Sequence, residues 1–368
     1  MGVVSGSLAP HITIDMRMLG VSGIGTYLEE LVPRVIAQWT DARFTVLGRP
    51  RVIAGAIPSS ERVAVQSLDT PIYSVREQLA LLRSIPRQTT LFWAPHYNIP
   101  LLYRGRLAVT VHDVFHLADG QSSAARRLYA RTLFSHVCAR ARVVMCDSAF
   151  TASELRRLSG EPRRVAVIPL GVAPRWFRVH AHAATSAVPY FLALGNVKPH
   201  KNLMRLVAAF GAVAAKLPHR LVVVGRREGL RTLDGKVEAS AAALGDRVIF
   251  TGHVGRDALE EWVAGCAALI QPSLYEGFGL PPLEAMACGR RVAVSQTSSL
   301  PEVCGAEALY FDPRDEVSIA EALIRVAGDS AHEADDSRRR RAWARTFDWD
   351  VSAEATVAQL AHAAGEGA

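Results

Sequence analysis

Short hydrophobic runs alternate with longer helical stretches along this sequence. Six runs stand in the first half and five in the second: HITIDMRML, RFTVLG, TLFWAP, LAVTVHD, RVVMCDS, RRVAVIPLGV, then YFLALG, RLVVVG, RVIFTG, AALIQPS and RRVAVSQ. Such alternation of strand and helix predicts parallel sheets covered by helices. Because the pattern restarts after a break, we expect an α/β protein with two Rossmann-like domains facing each other across a cleft.

The break between the two sets of runs gives the domain boundaries. We expect an N-terminal domain over residues 1–172, a linker over 173–188, where the periodicity is lost, and a C-terminal domain over 189–345. Residues 346–368 contain an amphipathic stretch, predicted to be a helix that packs back across the hinge.

Composition narrows the class of protein. A hydrophobic content of 49% with 21% charged residues is that of a folded protein and excludes a disordered chain. No run reaches the roughly 18 apolar residues of a membrane-spanning helix, and the first ten residues do not resemble a signal peptide. We therefore expect a cytoplasmic protein. Its five cysteines contain no CxxC pair and are interpreted as buried apolar residues.

The positive charge is concentrated in the first half of the chain. Residues 1–172 contain 20 Arg and 12 Asp or Glu, a net charge of +8, whereas the remainder has a net charge of −1. The arginines cluster at Arg126, Arg127, Arg131, Arg140 and Arg142, and again at Arg156, Arg157, Arg163 and Arg164. Such clusters suit an anionic membrane surface or a phosphate-bearing acceptor. The alternative is a solvated helix face, and no nucleic-acid partner is expected.

The loop after the run AALIQ is the most informative segment. Gly277 and Gly279 allow a ligand to approach the backbone, and Pro281 and Pro282 suit the start of a helix. The free N–H groups of that helix start would bind a diphosphate. Two carboxylates flank it, Glu276 before the helix and Glu284 about its first turn, and together they suit the hydroxyls of a sugar nucleotide. For Glu284, the alternative is a role in capping the helix.

The run EGFGLPPLEA, in which seven residues separate the two glutamates, resembles the E-x7-E signature of glycosyltransferase family 4, a retaining family with the GT-B fold. Further motifs of that family stand in the same order across nearly the whole chain: SGIGTYLEEL, VTVHD, CDSAFTASEL, VIPLGV, LGNVKPHKNL, VIFTGHV and SLPEVCG. The combination is far more specific than any one motif.

The resemblance implies roles for individual residues. His112, Lys201 and Glu276 would be catalytic, with Lys201 neutralising the departing diphosphate and Glu276 contacting sugar hydroxyls. Glu284 would hold the ribose, and Val254 the base through its main chain. The full donor-binding set is Gly25, His200, Lys201, Val254, Glu276, Gly277, Phe278, Gly279, Leu280 and Glu284. Asp15, Arg17 and Asp113 would lie on the acceptor side.

Some patterns point to other chemistry or depart from the family. His112 and His116 have a spacing found in zinc sites, but the glutamate of HExxH is absent. The DxD of Asp348-Trp349-Asp350 directly precedes the last predicted helix, which favours a cap and a packing residue. We therefore expect no metal and no cofactor. Where many members have EPRKN this chain has KPHKN, so His200 replaces an arginine.

Within the family, IDMRML with SGIGTYLEEL and the stretch FWAPHYNIP most resemble bacterial mannosyl- and rhamnosyltransferases of O-antigen-type polysaccharide synthesis. The resemblance implies retaining transfer of mannose or a related deoxyhexose. The donor would be a GDP-sugar, with UDP- or dTDP-sugars as alternatives. The acceptor would be a saccharide or a polyprenyl diphosphate-linked saccharide, met at the inner face of the membrane.

Other functions remain open at this point. A sugar-nucleotide epimerase would share the two sheets and the diphosphate site but would need no acceptor. A phosphorylase would need a pyridoxal-binding lysine, and none is identifiable. A non-enzymatic scaffold on a membrane would use the basic N-terminal face and would not depend on Glu276.

Overall fold

The computed structural model describes residues 9–72, 74–118, 124–179, 188–195, 198–225, 241–328 and 332–365. The chain divides into two compact units. One contains Met1–Gly171 together with Trp349–Ala368, and the other contains Val172–Asp348. Each unit has its own parallel sheet.

Among the described residues, the sheet of the first unit has seven strands in the order β3-β2-β1-β4-β5-β6-β7. They are β1 (His11–Asp15), β2 (Arg43–Gly48), β3 (Val63–Ser67), β4 (Leu91–Ala94), β5 (Leu107–Val111), β6 (Val143–Cys146) and β7 (Val165–Val167). Ile14 of β1 stands in register with Val46 of β2 and with Trp93 of β4. All three side chains are buried, as expected where helices cover both faces of a parallel sheet.

The helices that follow these strands are α1 (Ser22–Gln38), α2 (Pro50–Ile53), α3 (Val75–Ser84), α4 (Phe115–Ala118), α5 (Ala124–Arg140) and α6 (Ala149–Ser159). Serine residues cap the N-termini of two of these helices, α3 and α6. Ser74 Oγ accepts a hydrogen bond from the main-chain N–H of Glu77, and Ser148 Oγ accepts one from Thr151. Such caps satisfy N–H groups that have no partner within the helix.

The described sheet of the second unit has the order β10-β9-β8-β11-β12-β13. Its strands are β8 (Tyr190–Leu194), β9 (Arg220–Val224), β10 (Val248–Gly252), β11 (Ala268–Gln271), β12 (Arg291–Ser295) and β13 (Leu309–Phe311). Its helices are α7 (Pro174–Arg178), α8 (Leu203–Val213), α9 (Arg256–Gly265), α10 (Leu280–Ala287), α11 (Leu300–Cys304), α12 (Glu316–Ala327) and α13 (Glu333–Arg345). Fully buried Phe191, Phe210, Ile270 and Leu323 lie in its core.

The last helix, α14 (Trp349–Ala364), belongs to the first unit although it follows the second in sequence. Trp349 is buried and its ring centroid lies 6.3 Å from that of Tyr27. Asp350 accepts a hydrogen bond from Arg34 Nε at 3.1 Å, and Ser352 Oγ donates to the main-chain oxygen of Pro169 at 2.6 Å. The DxD tripeptide thus starts a helix and supplies a packing residue to the first unit.

The prediction of two parallel sheets is confirmed. Strands β3 and β13 were not predicted, because β3 is an edge strand with a half-exposed Val65 and β13 has only three residues. The stretch expected to begin the linker instead forms α7, since Pro174 suits a first helical turn and Trp176 is buried. Residues 180–187 of that linker lie outside the described residues.

Two further expectations concern cysteines and the membrane. The cysteines are all free and buried, as predicted: Cys138, Cys146, Cys266, Cys288 and Cys304. In the part of the chain that the structure describes, no helix combines the length and apolarity needed to cross a membrane.

Candidate functional site

Each sheet reverses its strand order once, between β1 and β4 in the first unit and between β8 and β11 in the second. Ligands of open parallel sheets bind beyond the carboxyl ends of strands at such reversals. The residues predicted from the sequence to bind substrate follow these strands.

In the second unit, an ion pair joins the loops after β8 and β11. Lys201 ends a short 3₁₀ helix (Pro199–Lys201) that follows β8, and Glu276 lies in the loop after β11. Lys201 Nζ lies 2.7 Å from Glu276 Oε1. The side chains are 21% and 14% exposed, so the pair is shielded from most solvent while a ligand can still contact it.

The same oxygen of Glu276 accepts two more hydrogen bonds. Gln271 Nε2 and Ser273 Oγ each donate to Oε1 at 2.5 Å. Burial disfavours the charged carboxylate, but the charge of Lys201 and these hydrogen bonds outweigh burial and lower the pKa of Glu276. No described residue donates to Oε2. Glu276 is therefore an ionised carboxylate with one oxygen occupied and the other available.

Serine side chains hold the loop that carries Glu276. Ser298 Oγ accepts from the main-chain N–H of Glu276 at 3.1 Å, and Ser299 Oγ donates to the main-chain oxygen of Phe278 at 2.7 Å. Gly279, the N-cap residue directly before α10, has φ of +120°, and a Cβ there would lie 2.8 Å from Leu300 Cδ2. Only glycine fits this position without strain, which explains the glycine before the two prolines.

Asn202 connects this loop to the one after β8. Its backbone is left-handed, with φ of +57°, and its buried amide donates to the main-chain oxygens of Pro272 at 3.0 Å and Pro313 at 2.6 Å. The main-chain oxygen of His200 accepts from the N–H of Leu274 at 2.7 Å. These bonds fix Lys201 and Glu276 relative to each other.

The other predicted donor-binding residues of this unit lie near the same edge or on neighbouring elements. Glu284 lies in the second turn of α10, one turn further along than expected, because the helix begins at Leu280. Phe278 is buried, with its ring edge-on to Phe347 at 5.9 Å. Val254 is half-buried between β10 and α9. Gly277 lies between Glu276 and Phe278 in the loop.

In the first unit, His112 follows β5 and lies against the buried carboxylate of Asp147. Its Nδ1 lies 2.7 Å from Asp147 Oδ2 and its Nε2 3.0 Å from the main-chain oxygen of Pro95. Burial disfavours the charged ring, but Asp147 and the hydrogen bonds outweigh it and raise the pKa of His112. Both ring nitrogens of His112 therefore have hydrogen-bond partners within the first unit.

Asp15 and Arg17, at the end of β1, form a buried charge cluster with Glu77 of α3. Arg17 Nε and Nη2 bind the two oxygens of Asp15 at 2.8 and 2.6 Å, and Nη2 lies 2.8 Å from Glu77 Oε1. Arg17 Nη1 is buried and has no partner among the described residues. Asp113 accepts from the N–H of Phe115 at 2.9 Å and so shapes the start of α4.

The sequence SGIGTYLEEL predicts that Gly23 and Gly25 form a turn that opens a helix, but Gly25 lies inside the first turn of α1. The turn is made at Gly20, with φ of +77°. A Cβ on Gly25 would lie 2.9 Å from the main-chain nitrogen of Gly20, so this glycine allows the helix to pack on the preceding loop. A role in donor binding stays a prediction.

Several residues that contact the predicted site residues were not identified from the sequence. They are Glu77, Asp147, Asn202, Gln271, Ser273, Ser298 and Ser299. Asp147 could have been found, because it follows a hydrophobic run just as His112 does. Within the described ranges, no group of three or more His, Cys, Asp or Glu side chains has a metal-binding arrangement.

Comparisons with known proteins agree with this geometry. Residues 21–176 match the family model Glycosyltransferase Family 4, and residues 188–329 match Glycosyl transferases group 1. The chain is 27% identical over 281 residues to O-antigen chain mannosyltransferase B of Escherichia coli, covering 73% of each protein. It is also 27% identical over 316 residues to the GDP-mannose-dependent alpha-(1-6)-phosphatidylinositol dimannoside mannosyltransferase of Mycobacterium tuberculosis (strain ATCC 25177 / H37Ra), covering 83% of this chain and 77% of that protein.

The fold is also that of solved glycosyltransferase structures. Sucrose-phosphate synthase from Thermosynechococcus elongatus superimposes with a TM-score of 0.78 at 20% identity, covering 96% of this chain and 98% of that one. The expected GT-B fold is thereby confirmed. With its two halves matched in order by the two family models, this chain belongs to glycosyltransferase family 4 and is a glycosyltransferase.

Proposed function

We propose that this glycosyltransferase transfers mannose or a related deoxyhexose from a GDP-sugar to a saccharide acceptor, with retention of configuration and without a metal ion. The names of the two relatives support mannose, and that of the mycobacterial protein supports GDP. UDP- and dTDP-sugars are the alternative donors.

The arrangement of Glu276 carries the proposal. Three donors occupy Oε1, so the carboxylate is held in one orientation and remains ionised. Oε2 then accepts hydrogen bonds from hydroxyls of the donor sugar, which have protons to donate. Because the side chain of Glu276 is already held in place, little of the binding energy is spent on moving it when the sugar binds. More of that energy can then stabilise the transition state.

Lys201 supplies the positive charge that the departing diphosphate needs. When the bond between the sugar C1 and the phosphate oxygen breaks, negative charge grows on that oxygen. The ammonium of Lys201 and the N-terminal N–H groups of α10 stabilise it. In this proposal a protein cation supplies the positive charge, and no divalent metal is required.

Retention follows if the acceptor attacks from the face that the diphosphate leaves. The acceptor oxygen forms a bond with C1, and its proton passes to the departing phosphate oxygen. No protein nucleophile is required. In this route Glu276 binds the donor sugar through Oε2, while Lys201, Gln271 and Ser273 hold its Oε1.

Glu284 and Val254 complete the donor site in this proposal. Glu284 accepts from the ribose hydroxyls, and the main chain of Val254 contacts the base. Asp15, Arg17 and Asp113 bind the acceptor, for which the buried Nη1 of Arg17 offers a donor without a partner among the described residues. A polyprenyl diphosphate-linked saccharide at the inner membrane face is the proposed physiological acceptor.

Donor binding provides the first test. Thermal unfolding is measured in EDTA with GDP-mannose, UDP-glucose and dTDP-rhamnose, for the wild type, Glu284→Ala and the control Glu302→Ala. Glu302 is an exposed glutamate in the first turn of another helix of the same unit. We expect one donor to raise the melting temperature of the wild type and of the control, and this shift to be lost in Glu284→Ala.

Turnover then separates transfer from the alternatives. NMR of the donor and products follows the anomeric configuration with and without a mannoside acceptor. Conversion of the donor sugar without an acceptor would indicate an epimerase. If no nucleotide sugar shifts the melting temperature, the donor assignment is wrong. If cells that carry Glu276→Gln keep the wild-type function, a non-enzymatic scaffold is favoured.

A further inference from the structure

Asp147 and His112 form a buried pair at the carboxyl ends of β6 and β5. Asp147 is 3% exposed, and its Oδ2 lies 2.7 Å from His112 Nδ1. On the other side of the ring, Nε2 lies 3.0 Å from the main-chain oxygen of Pro95. Carboxylate and carbonyl oxygens only accept hydrogen bonds. Both ring nitrogens can be satisfied together only if both carry a proton, which requires the imidazolium form.

Of the other groups discussed around the His112 ring, none takes the place of Asp147 as a negatively charged acceptor for its Nδ1. Asp113, the next residue, also has a negative charge, but it accepts from the N–H of Phe115. From the β4 loop comes His96, which is neutral because burial and the nearby cations lower its pKa to about 3. From α1 comes Tyr27, whose ring lies 4.7 Å from that of His112 and whose hydroxyl is paired with Thr110.

Tyr27 and Asp147 also fix the orientation of the ring. The two rings meet edge to face at 77°, so Tyr27 limits tilting while Asp147 limits rotation. Without the carboxylate, burial alone would favour the neutral ring. A neutral ring would leave either Pro95 or residue 147 without a donor.

We propose that Asp147 is a positioning residue that holds His112 as a permanent imidazolium at the end of β5, so that His112 acts by its positive charge and not by proton transfer. This inference rests on the proposed function for its catalytic meaning. A fixed cation at the end of β5 stabilises negative charge, such as that of a diphosphate leaving group. An imidazolium cannot accept a proton, so His112 does not act as a general base in this proposal.

NMR of protein labelled with ¹⁵N-histidine tests the charge state directly. We expect both ring nitrogens of His112 to stay protonated well above pH 6.5, where free histidine is half protonated. In Asp147→Asn we expect His112 to lose a proton at a pH at least one unit lower than in the wild type. The matched control is Thr151→Val, which removes a hydroxyl that donates to the main-chain oxygen of His112 at 3.3 Å and leaves the carboxylate in place. Its His112 should titrate like the wild type.

Activity supplies the second readout. At pH 8 we expect kcat of Asp147→Asn to be at least tenfold below the wild type, with the deficit becoming smaller as the pH is lowered and the ring takes up a proton. Thr151→Val should not change its fraction of wild-type activity with pH. A purely structural role of Asp147 would lower activity by the same factor at every pH.

The possible failures are distinguishable. A single protonated nitrogen on wild-type His112 at pH 7 would overturn the inference even if Asp147→Asn does not fold. So would a loss of activity in Asp147→Asn that does not depend on pH. If the wild type turns over no nucleotide sugar, the proposed function fails, while the NMR titration still decides whether Asp147 holds the imidazolium.

Discussion

Lys201 Nζ lies 2.7 Å from Glu276 Oε1, and this contact joins the loops that follow the adjacent strands β8 and β11. It places a cation and a carboxylate at the strand-order reversal of the second sheet. Because the pair lowers the pKa of Glu276, the carboxylate stays ionised across the neutral range. The acid limit of activity should therefore depend on Lys201.

We predict that Lys201→Met lowers kcat by about 10²–10³-fold, the usual effect of removing one preorganised electrostatic group. It should also move the acid limb of the kcat/KM profile to higher pH. The wild-type carboxylate is active when ionised and is lost as pH falls through its lowered pKa. Without the lysine, burial raises that pKa, so the loss begins at higher pH. Steady-state kinetics between pH 4 and 8 measure both effects.

Lys216→Met is the control for this prediction, because Lys216 also ends a 3₁₀ helix of the same unit but is exposed. It should leave the profile unchanged. An acid limb of Lys201→Met that coincides with the wild type would mean that Glu276 is not the group that titrates.

The carboxyl ends of the strands were predictable from the sequence, but the partners of the site residues were not. Hydrophobic runs locate strand ends, and a parallel sheet brings those ends to one edge, which suffices to group Lys201 with Glu276. Gln271, however, belongs to β11 itself, and the direction of its side chain depends on register with the neighbouring strands. That register is set by long-range pairing, which no local pattern contains.

The differences from expectation have local physical causes. The glycines of SGIGTYLEEL suggested a turn, but Gly20 makes the turn and Gly25 allows close packing inside α1. The start of the expected linker is helical because Trp176 has a buried site, and tertiary burial outweighs weak local periodicity. Both cases required knowledge of what packs against the segment.

A second prediction concerns Asn202, which has left-handed backbone and donates to two main-chain oxygens. Asn202→Gly loses the two hydrogen bonds and should lower the free energy of unfolding by about 1–3 kcal/mol. Asn202→Ala loses them too and adds about 1–2 kcal/mol of left-handed strain. Urea unfolding should therefore rank wild type above Gly above Ala. An alanine variant at least as stable as the glycine variant would contradict the left-handed conformation.

A third prediction tests the start of α10. Gly279→Ala combines φ of +120° with a Cβ only 2.8 Å from Leu300 Cδ2. We expect a loss of about 1–3 kcal/mol in unfolding free energy, together with weaker donor binding, because the helix start moves. Differential scanning calorimetry and donor titration measure the two effects.

Gly211→Ala provides the comparison, since Gly211 lies inside α8, where its nearest neighbour to a new Cβ, Leu244 Cδ1, is 3.4 Å away. This variant should be unchanged or up to about 1 kcal/mol more stable, because alanine favours helix. Equal effects at both positions would show that the backbone at Gly279 is not strained by a side chain.

A fourth prediction concerns the membrane contact proposed for the first unit. Leu102 and Leu128 are 69% and 68% exposed. Arg104 is close to the first in sequence, and Arg131 follows the second on the same face of α5. Hydrogen bonds from Tyr129 to Asn98 and from Arg140 to Arg104 hold the loop beside this helix. We call Leu102, Leu128, Arg104 and Arg131 the apolar-basic patch.

If the apolar-basic patch binds an anionic membrane, the double variant Leu102→Ser/Leu128→Ser should bind phosphatidylglycerol vesicles about 10–30-fold more weakly. Each leucine contributes about 1 kcal/mol when it leaves water only partly, and the effects of separate side chains add. Co-sedimentation measures the affinity, and high salt should weaken wild-type binding further because the arginines are screened. Val351→Ser is the control, since Val351 of α14 is 64% exposed in the same unit but outside the patch. Two results would mean that the apolar-basic patch does not contact an anionic membrane and that its arginines belong to a solvated helix face. One is equal affinity of the wild type and the double variant for phosphatidylglycerol vesicles. The other is equal affinity of the wild type for phosphatidylglycerol and for neutral phosphatidylcholine vesicles.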